Sequence, residues 1–201
     1  MRNSPDDWEQ RRAGARDTDR SRIMRRKRAI MVALVVGAVA LVIDRVTKAM
    51  AEAWLEPGAS VPVLADLLSL RLVYNPGAAF SLGAGSTWIL TVLSLVAVIV
   101  TIVFAVRLRG VWWGIALGLI LGGALGNLLD RLFNPPSFGQ GHVTDFIAYG
   151  DLFIGNVADI LLVAGFGLIG VRAVIGSHDR RADAADAGDA PAPADAGNGD
   201  R

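Results

Sequence analysis

The sequence contains no cysteine and only two histidines, His142 and His178. Without cysteine, the chain can have no thiol nucleophile, no disulfide bond and no cysteine-ligated metal. Two histidines are also too few for a histidine-rich metal site. Charged residues make up 19% of the 201 positions, and hydrophobic residues make up 53%. This balance is too apolar for an ordinary soluble domain, and it predicts one integral membrane domain with polar ends.

Four apolar stretches are each long enough to cross a hydrocarbon core of about 30 Å, which takes about 20 residues. They lie at about 29–50, 86–106, 111–129 and 152–175. Basic residues gather at Arg25–Arg28, at Arg107 and Arg109, and from Arg172 onwards. Because basic loops stay in the cytoplasm, we predict a four-span membrane domain over 29–176 with both termini on the cytoplasmic side.

The two ends of the chain differ from this domain in composition. Residues 1–28 are polar and rich in arginine, and residues 177–201 consist mainly of Ala, Asp, Gly and Pro. Neither end has enough large apolar side chains to fold, so both are predicted to be disordered tails. The basic tail could bind nucleic acid, but Asp17 and Asp19 interrupt its positive charge. No nucleic-acid partner is therefore predicted.

Two segments between the spans are predicted to lie outside the membrane. Residues 69–75 alternate apolar and polar side chains, as a half-buried strand does, and Asn75 then opens a turn with Pro76 and Gly77. Asn75 is either a turn former or a functional residue. Prolines and glycines predict a loop over 130–151. The fold class is therefore an all-α membrane protein of four transmembrane helices with a small extracytoplasmic β-element.

The third span carries a glycine at every fourth position. Gly114, Gly118, Gly122 and Gly126 fall on one helix face. A face of small residues allows another helix to approach closely in a membrane. Close packing of this span against a neighbour is therefore predicted.

Polar residues gather at the predicted outer ends of the spans. They are Asp44, Asn75, Asn127, Asp130, Arg131, Asp145, Asn156 and Asp159. A charge at the centre of a membrane helix costs roughly 2.5–3.5 kcal/mol, so a group of this kind indicates function. Asn156 and Asp159 are three residues apart and share a helix face. Asp159 is predicted to lie about two turns, or about 10 Å, into the fourth span.

Two carboxyl groups that share a proton can hydrolyse a peptide bond. The ionised group activates water, and the protonated group polarises the scissile carbonyl. Asp130 and Asp151 are candidates beside Asp145 and Asp159. The alternative is that the acids only pair with Arg45, Lys48 and Arg131 to fix the bundle. By that interpretation Asp44 and Lys48, four residues apart, form a surface ion pair.

Five short motifs resemble those of the lipoprotein signal peptidase family, signal peptidase II. They look like the family's motifs in order, and they are DRVTK (44–48), NPGAAFS (75–81), GGALGNLLDR (122–131), VTDF (143–146) and NVAD (156–159). The resemblance covers about residues 30–175. The loop between Arg131 and Asp145 is longer than is usual in the family, and Gly155 stands where a Phe often precedes the Asn.

The resemblance implies an aspartic endopeptidase whose catalytic residues are Asp145 and Asp159. It also implies a set of supporting residues, namely Asp44, Lys48, Asn75, Gly77, Asn127, Asp130, Arg131 and Asn156. The implied substrates are prolipoproteins, cleaved before a diacylglyceryl-modified Cys at the extracytoplasmic face, in contact with membrane lipid. Globomycin-like cyclic peptides are the implied inhibitors. No cofactor or metal is implied.

Two other functions fit a small membrane protein with intramembrane acids. A proton-coupled transporter or channel uses such acids, but its sites lie near the midplane and often between repeats. In this sequence the acids gather at one face, and no repeat is evident. A non-catalytic assembly protein is the second alternative, and it would tolerate Asp-to-Asn changes.

Overall fold

The computed structural model describes residues 5–77, 87–107 and 110–188, with side chains at 18–77, 87–107 and 110–175. The helices are α1 (Pro5–Trp54), α2 (Thr87–Arg107), α3 (Val111–Phe133) and α4 (Val157–Gly188). The strands are β1 (Val61–Leu64), β2 (Leu68–Asn75), β3 (Val143–Tyr149) and β4 (Phe153–Gly155).

Four helical segments are long and apolar enough to cross a membrane. They are Thr18–Trp54, Thr87–Arg107, Val111–Phe133 and Val157–Ile175. Each overlaps one of the four spans predicted from the sequence, and a small antiparallel sheet accompanies them. The predicted fold class, four transmembrane helices with a small β-element, is confirmed.

Helix α3 is the centre of the bundle. In its most apolar 18-residue stretch, 61% of the residues are buried within the protein, against 11–28% in the corresponding stretches of the other three spans. The predicted close approach is confirmed, and the neighbour is α1. A Cβ atom at Gly114 would lie 2.6 Å from the Ala29 carbonyl oxygen, and one at Gly118 would lie 2.8 Å from that of Ala33. Glycine therefore allows the two helix backbones to pack in direct contact.

Helix α1 is longer than one membrane crossing. Its 50 residues span about 75 Å at 1.5 Å per residue, more than twice a hydrocarbon core of about 30 Å. The helix thus includes most of 1–28, where disorder was expected. Arg, Ala, Met and Glu are strong helix formers, and Pro5 suits the first helical position. Arg26 on this helix donates from Nε to the Val106 carbonyl at the end of α2, at 2.9 Å.

The C-terminal end shows the same difference. Helix α4 continues to Gly188, whereas the tail was predicted to begin at 177. Alanine and arginine in this stretch favour a helical backbone without requiring a packed core. The rest of the predicted tail, 189–201, lies outside the described residues, as do 1–4.

The four strands form one antiparallel sheet in the order β1-β2-β3-β4. The predicted strand at 69–75 is confirmed as β2. The loop predicted over 130–151 is wrong at both ends, because α3 extends to Phe133 and β3 occupies Val143–Tyr149. The helix-breaking residues act only on the turn between them. Strand β3 pairs with β2, far away in sequence, so local patterns do not indicate it.

The fourth span begins later than predicted. Residues 153–155 form β4, and α4 begins at Val157. The apolar side chains of this stretch pack in a strand pair with β3 and not in a helix. The start of α4 therefore lies directly beside the sheet, and this junction builds the site.

Candidate active site

Strands β2 and β3 bring Asn75 and Asp145 together. Asn75 donates from Nδ2 to Oδ2 of Asp145 at 2.8 Å, and its Oδ1 accepts the Gly77 N–H at 2.9 Å. The second contact is an Asx turn, in which a side-chain oxygen closes the turn that follows a strand. Asn75 is thus a turn former, as one of the two interpretations predicted, and it also contacts Asp145.

The first turn of α4 positions Asp159. Asn156 accepts the Asp159 N–H on Oδ1 at 3.2 Å, and Asp159 accepts the Asn156 N–H on Oδ2 at 3.1 Å. This reciprocal pair is a capping box, which satisfies two free N–H groups at a helix start. Asp159 is therefore the third residue of α4, and the predicted depth of two turns is wrong, because the helix begins five residues later than expected.

Asn156 also connects the two candidate acids. Its Nδ2 donates to Oδ1 of Asp145 at 2.6 Å, while its backbone N–H donates to Asp159. The side chain of Asn156 is 1% exposed and Asp145 is 3% exposed. Gly155 leaves room for the acid beside it, since a Cβ there would lie 2.9 Å from Asp159 Oδ2. One buried asparagine therefore holds both carboxyl groups at the junction of sheet and helix.

A cavity of about 600 Å³ opens at this junction. Its polar lining residues are Asn75, Ser94, Asn127, Arg131, Asp145, Asn156 and Asp159. Its apolar walls come from α2, α4 and β4, and include Leu93, Phe153 and Phe166. Among the acids in the described part of the chain, Asp145 and Asp159 are the two that line it. The cavity thus offers a pair of carboxyl groups beside an apolar surface.

The environment of Asp145 changes its proton affinity. The pKa of Asp145 is raised from 3.8 to about 6, chiefly by burial and also by the nearby charge of Asp159. Hydrogen bonds from Asn75 and Asn156, and the charge of Lys48, act in the opposite direction on this pKa. A carboxyl group with such a pKa can exchange a proton near neutral pH, as acid–base catalysis requires.

A charge cluster lies beneath the cavity. Lys48 Nζ is 3.0 Å from Asp44 Oδ2 and 2.7 Å from Asp130 Oδ2, and Arg45 also pairs with Asp130. Asp44, Lys48 and Asp130 are at most 1% exposed. The interpretation of Asp44 and Lys48 as a surface ion pair is therefore wrong, because α3 covers them. Gly126 on α3 stands where any Cβ would overlap the Asp44 carboxylate.

Arg131 contacts a backbone carbonyl and does not form the ion pair with an acid that the alternative interpretation predicted. Its Nη2 donates to the Gly77 carbonyl oxygen, and no ion pair within 4.0 Å joins it to an acid in the described residues. Arg131 thus holds the turn after β2 against α3. Residues 78–81 of the NPGAAFS motif lie outside the described part of the chain.

The other two candidate acids lie elsewhere. Asp130 is committed to Lys48 and Arg45 and does not line the cavity. Asp151 is exposed in the turn between β3 and β4 and borders a different cleft. Of the four acids considered, the structure brings Asp145 and Asp159 to the cavity.

Two contacts were missed in the sequence. Thr144 donates from Oγ1 to Glu52 Oε1 at 2.8 Å, and its N–H donates to Asp130 Oδ2 at 3.3 Å. Glu52 follows Lys48 by four residues on α1, so helical spacing places it on the same face. That spacing could have indicated Glu52. Thr144 gave no comparable indication. Within the described residues, no group of three or more His, Asp or Glu side chains is arranged to hold a metal ion.

Comparison with known proteins identifies the family. The sequence model described as signal peptidase (SPase) II matches residues 36–175. The chain is 47% identical over 146 residues to the lipoprotein signal peptidase of Rhodococcus jostii (strain RHA1), covering 73% of this chain and 74% of that protein. It is 43% identical over 149 residues to that of Mycobacterium leprae (strain Br4923), covering 74% of each.

A solved structure gives the same result at the level of the fold. The structure, of a bacterial membrane enzyme at 2.3 Å resolution, aligns with a TM-score of 0.66 at 25% identity, over 73% of this chain and 90% of that one. The region matched by the sequence model, 36–175, includes part of the first span, the other three spans, the sheet and both cavity acids. This chain therefore belongs to the signal peptidase II family of membrane peptidases.

Proposed function

We propose that this peptidase removes signal peptides from prolipoproteins by an aspartic mechanism, with Asp145 and Asp159 as the catalytic pair. The observation that carries the proposal is the cavity lining. The two carboxyl groups share Asn156 as a donor and lie at one end of an apolar cavity. Family membership supports the peptidase activity, and this geometry supports the choice of residues.

The pair would carry one proton between its two carboxyl groups. The ionised group takes a proton from water, and the oxygen of that water attacks the scissile carbonyl carbon. The protonated group donates its hydrogen to the carbonyl oxygen as negative charge develops there. The tetrahedral intermediate then collapses, the C–N bond breaks, and the departing amine receives a proton from the pair. The raised pKa of Asp145 suits the protonated role, because this group exchanges its proton near neutral pH.

The apolar character of the cavity walls favours a lipid-modified substrate. Leu93, Leu162 and Phe166 form an apolar surface next to the polar end. A prolipoprotein would present a diacylglyceryl-modified Cys to this end, with its acyl chains and signal helix against the apolar walls and the surrounding lipid. The bond on the amino side of that Cys would then meet the carboxyl pair. A globomycin-like cyclic peptide would block cleavage by occupying the same cavity.

Replacing either acid by asparagine tests the mechanism. We expect D145N and D159N each to lower cleavage of a diacylglyceryl-modified peptide at least about 100-fold, since a missing acid or base costs this much. Both variants keep the size of the side chain, so the protein should still insert in the membrane. D151N is the matched control, because Asp151 is exposed on the same sheet and does not line the cavity. Wild-type processing by D145N or D159N would refute the carboxyl pair.

A further inference from the structure

Lys48 is buried close to the carboxyl pair but does not line the cavity. Its side chain is 2% exposed. Three acceptor oxygens surround Nζ, namely Asp130 Oδ2 at 2.7 Å, Asn127 Oδ1 at 2.9 Å and Asp44 Oδ2 at 3.0 Å. The contacts to Asp44 and Asp130 are ion pairs. The contact to Asn127 is the one that leads towards the cavity.

We propose that Lys48 is a positioning residue for the hydrolysis, because it fixes the Asn127 side chain so that this amide donates to Asp159. Asn127 Nδ2 donates to Asp159 Oδ1 at 3.0 Å, while its Oδ1 accepts from Lys48. The proposal rests on the proposed function, since it concerns one of the two catalytic acids.

The two contacts of Asn127 allow one orientation of its amide. An ammonium group has only donors, and an ionised carboxylate has only acceptors. The amide oxygen must therefore face Lys48, and the amide NH2 must face Asp159. If the amide were flipped, its NH2 would face the Lys48 ammonium and its oxygen would face the Asp159 carboxylate, so neither hydrogen bond could form. Lys48 thereby holds a donor on the Asp159 oxygen that is not used in the capping box.

The same charge cluster holds Asp159 from a second side. Asp44 accepts the Ala158 N–H on Oδ1 at 3.0 Å, one residue before Asp159. The ion pair of Lys48 with Asp44 thus fixes the first turn of α4. Buried ion pairs often add little to stability, because both charges lose their water. Stability alone therefore does not account for a buried cluster whose charges have lost their water, whereas a positioning role does.

A double-mutant cycle between Lys48 and Asn127 tests the proposal. K48M is made in the D44N background, whose own activity is the reference, so that no unpaired carboxylate is buried. We expect K48M and N127A each to lower kcat about 10- to 100-fold, the value of one hydrogen bond to a charged group, with little change in KM. Together they should lower kcat no further than either alone.

If the factors by which K48M and N127A lower kcat multiplied in the double variant, the two residues would act independently, and this would overturn the proposal. N127D covers the case in which K48M does not fold. Its carboxylate keeps an acceptor for Lys48 but offers no donor to Asp159, so kcat should fall at least tenfold while the unfolding temperature in detergent is retained. An N127D enzyme within about twofold of wild type would also overturn it. Active D145N or D159N would refute the proposed function itself, which separates the two failures.

Discussion

At the scale of single residues, three asparagines organise the site, and each uses both ends of its amide. Asn75 accepts from Gly77 and donates to Asp145. Asn127 accepts from Lys48 and donates to Asp159. Asn156 accepts from the Asp159 N–H and donates to Asp145. An amide can both donate and accept, which an ionised Asp or a Leu of similar size cannot do. The asparagines therefore connect the acids to the framework.

The hydrogen bond from Asn75 should set the pH range of activity. It favours the ionised form of Asp145 and so lowers the pKa of this group, which is nevertheless about 6 because burial raises it. The variant N75S keeps a hydroxyl that can close the turn but removes the donor to Asp145. The pKa of Asp145 should then rise, and the protonated form should persist to higher pH. We expect the alkaline limb of kcat/KM against pH to move up by about one unit.

The control for N75S is Y74F. Tyr74 precedes Asn75 in β2, so its side chain points to the opposite face of the strand. Its pH profile should match that of the wild type. An alkaline limb that stays in place, or moves to lower pH, in N75S would contradict the assignment of Asp145 as the proton donor.

The gathering of polar residues beside the apolar spans was predicted from the sequence, and the structure places several of them around one cavity. Acids and amides next to apolar spans are costly, so their positions alone indicated function. Their partners could not be predicted. Asp130 pairs with Lys48 and Arg45, and Arg131 binds the Gly77 carbonyl. Each of these contacts joins residues that lie far apart in the chain, and neither charge nor helical spacing distinguishes among the possible partners.

At the scale of elements, contact between α1 and α3 places the charge cluster. The glycine face of α3 lets the α1 backbone approach, and Gly126 at its end admits the Asp44 side chain. In lipid, close backbone packing replaces the hydrophobic effect as a source of helix association. The same stripe of small residues therefore stabilises the bundle and seats the cluster beneath the site.

Gly122 tests this packing without touching the site. A Cβ there would overlap Ala40 and would lie 2.7 Å from the Gly37 carbonyl oxygen. Backbone cannot move aside as a side chain can, so G122A should destabilise the protein by about 1–3 kcal/mol. G170A is the matched control, because nothing lies within 4 Å of a Cβ on that helical glycine. Unfolding temperatures in detergent compare the two. If G122A were as stable as G170A, close packing of α1 on α3 would be refuted.

The elements themselves were unequally predictable. The spans were found because about 20 apolar residues in succession indicate a membrane helix. Strands β3 and β4 were missed, because their hydrogen bonds come from other strands and their short apolar runs also fit a loop or a helix start. Because of this error Asp159 was predicted about two turns into the fourth span, whereas it lies in the first turn of α4. The capping box there depends on where β4 ends.

At the scale of the whole molecule, charge is separated between the two ends of the bundle. The two cavity acids, Asp145 and Asp159, and the charge cluster lie at the sheet end. The opposite end carries Arg25–Arg28 on α1 and Arg107 at the end of α2. From the positive-inside rule we expect the basic end to lie in the cytoplasm and the sheet to lie outside. A prolipoprotein whose modified Cys lies at the outer surface would meet the carboxyl pair directly.

The absence of cysteine allows this orientation to be tested with single labels. Ser60 is exposed between α1 and β1, and Ser21 is exposed on the N-terminal part of α1. In intact cells a membrane-impermeant maleimide should label S60C, whereas S21C should react only after the membrane is opened. Because the parent chain has no thiol, the wild type treated with the same maleimide should remain unlabelled and serves as the background control. The reverse pattern would place the carboxyl pair on the cytoplasmic side, away from the surface where a lipid-anchored product must remain.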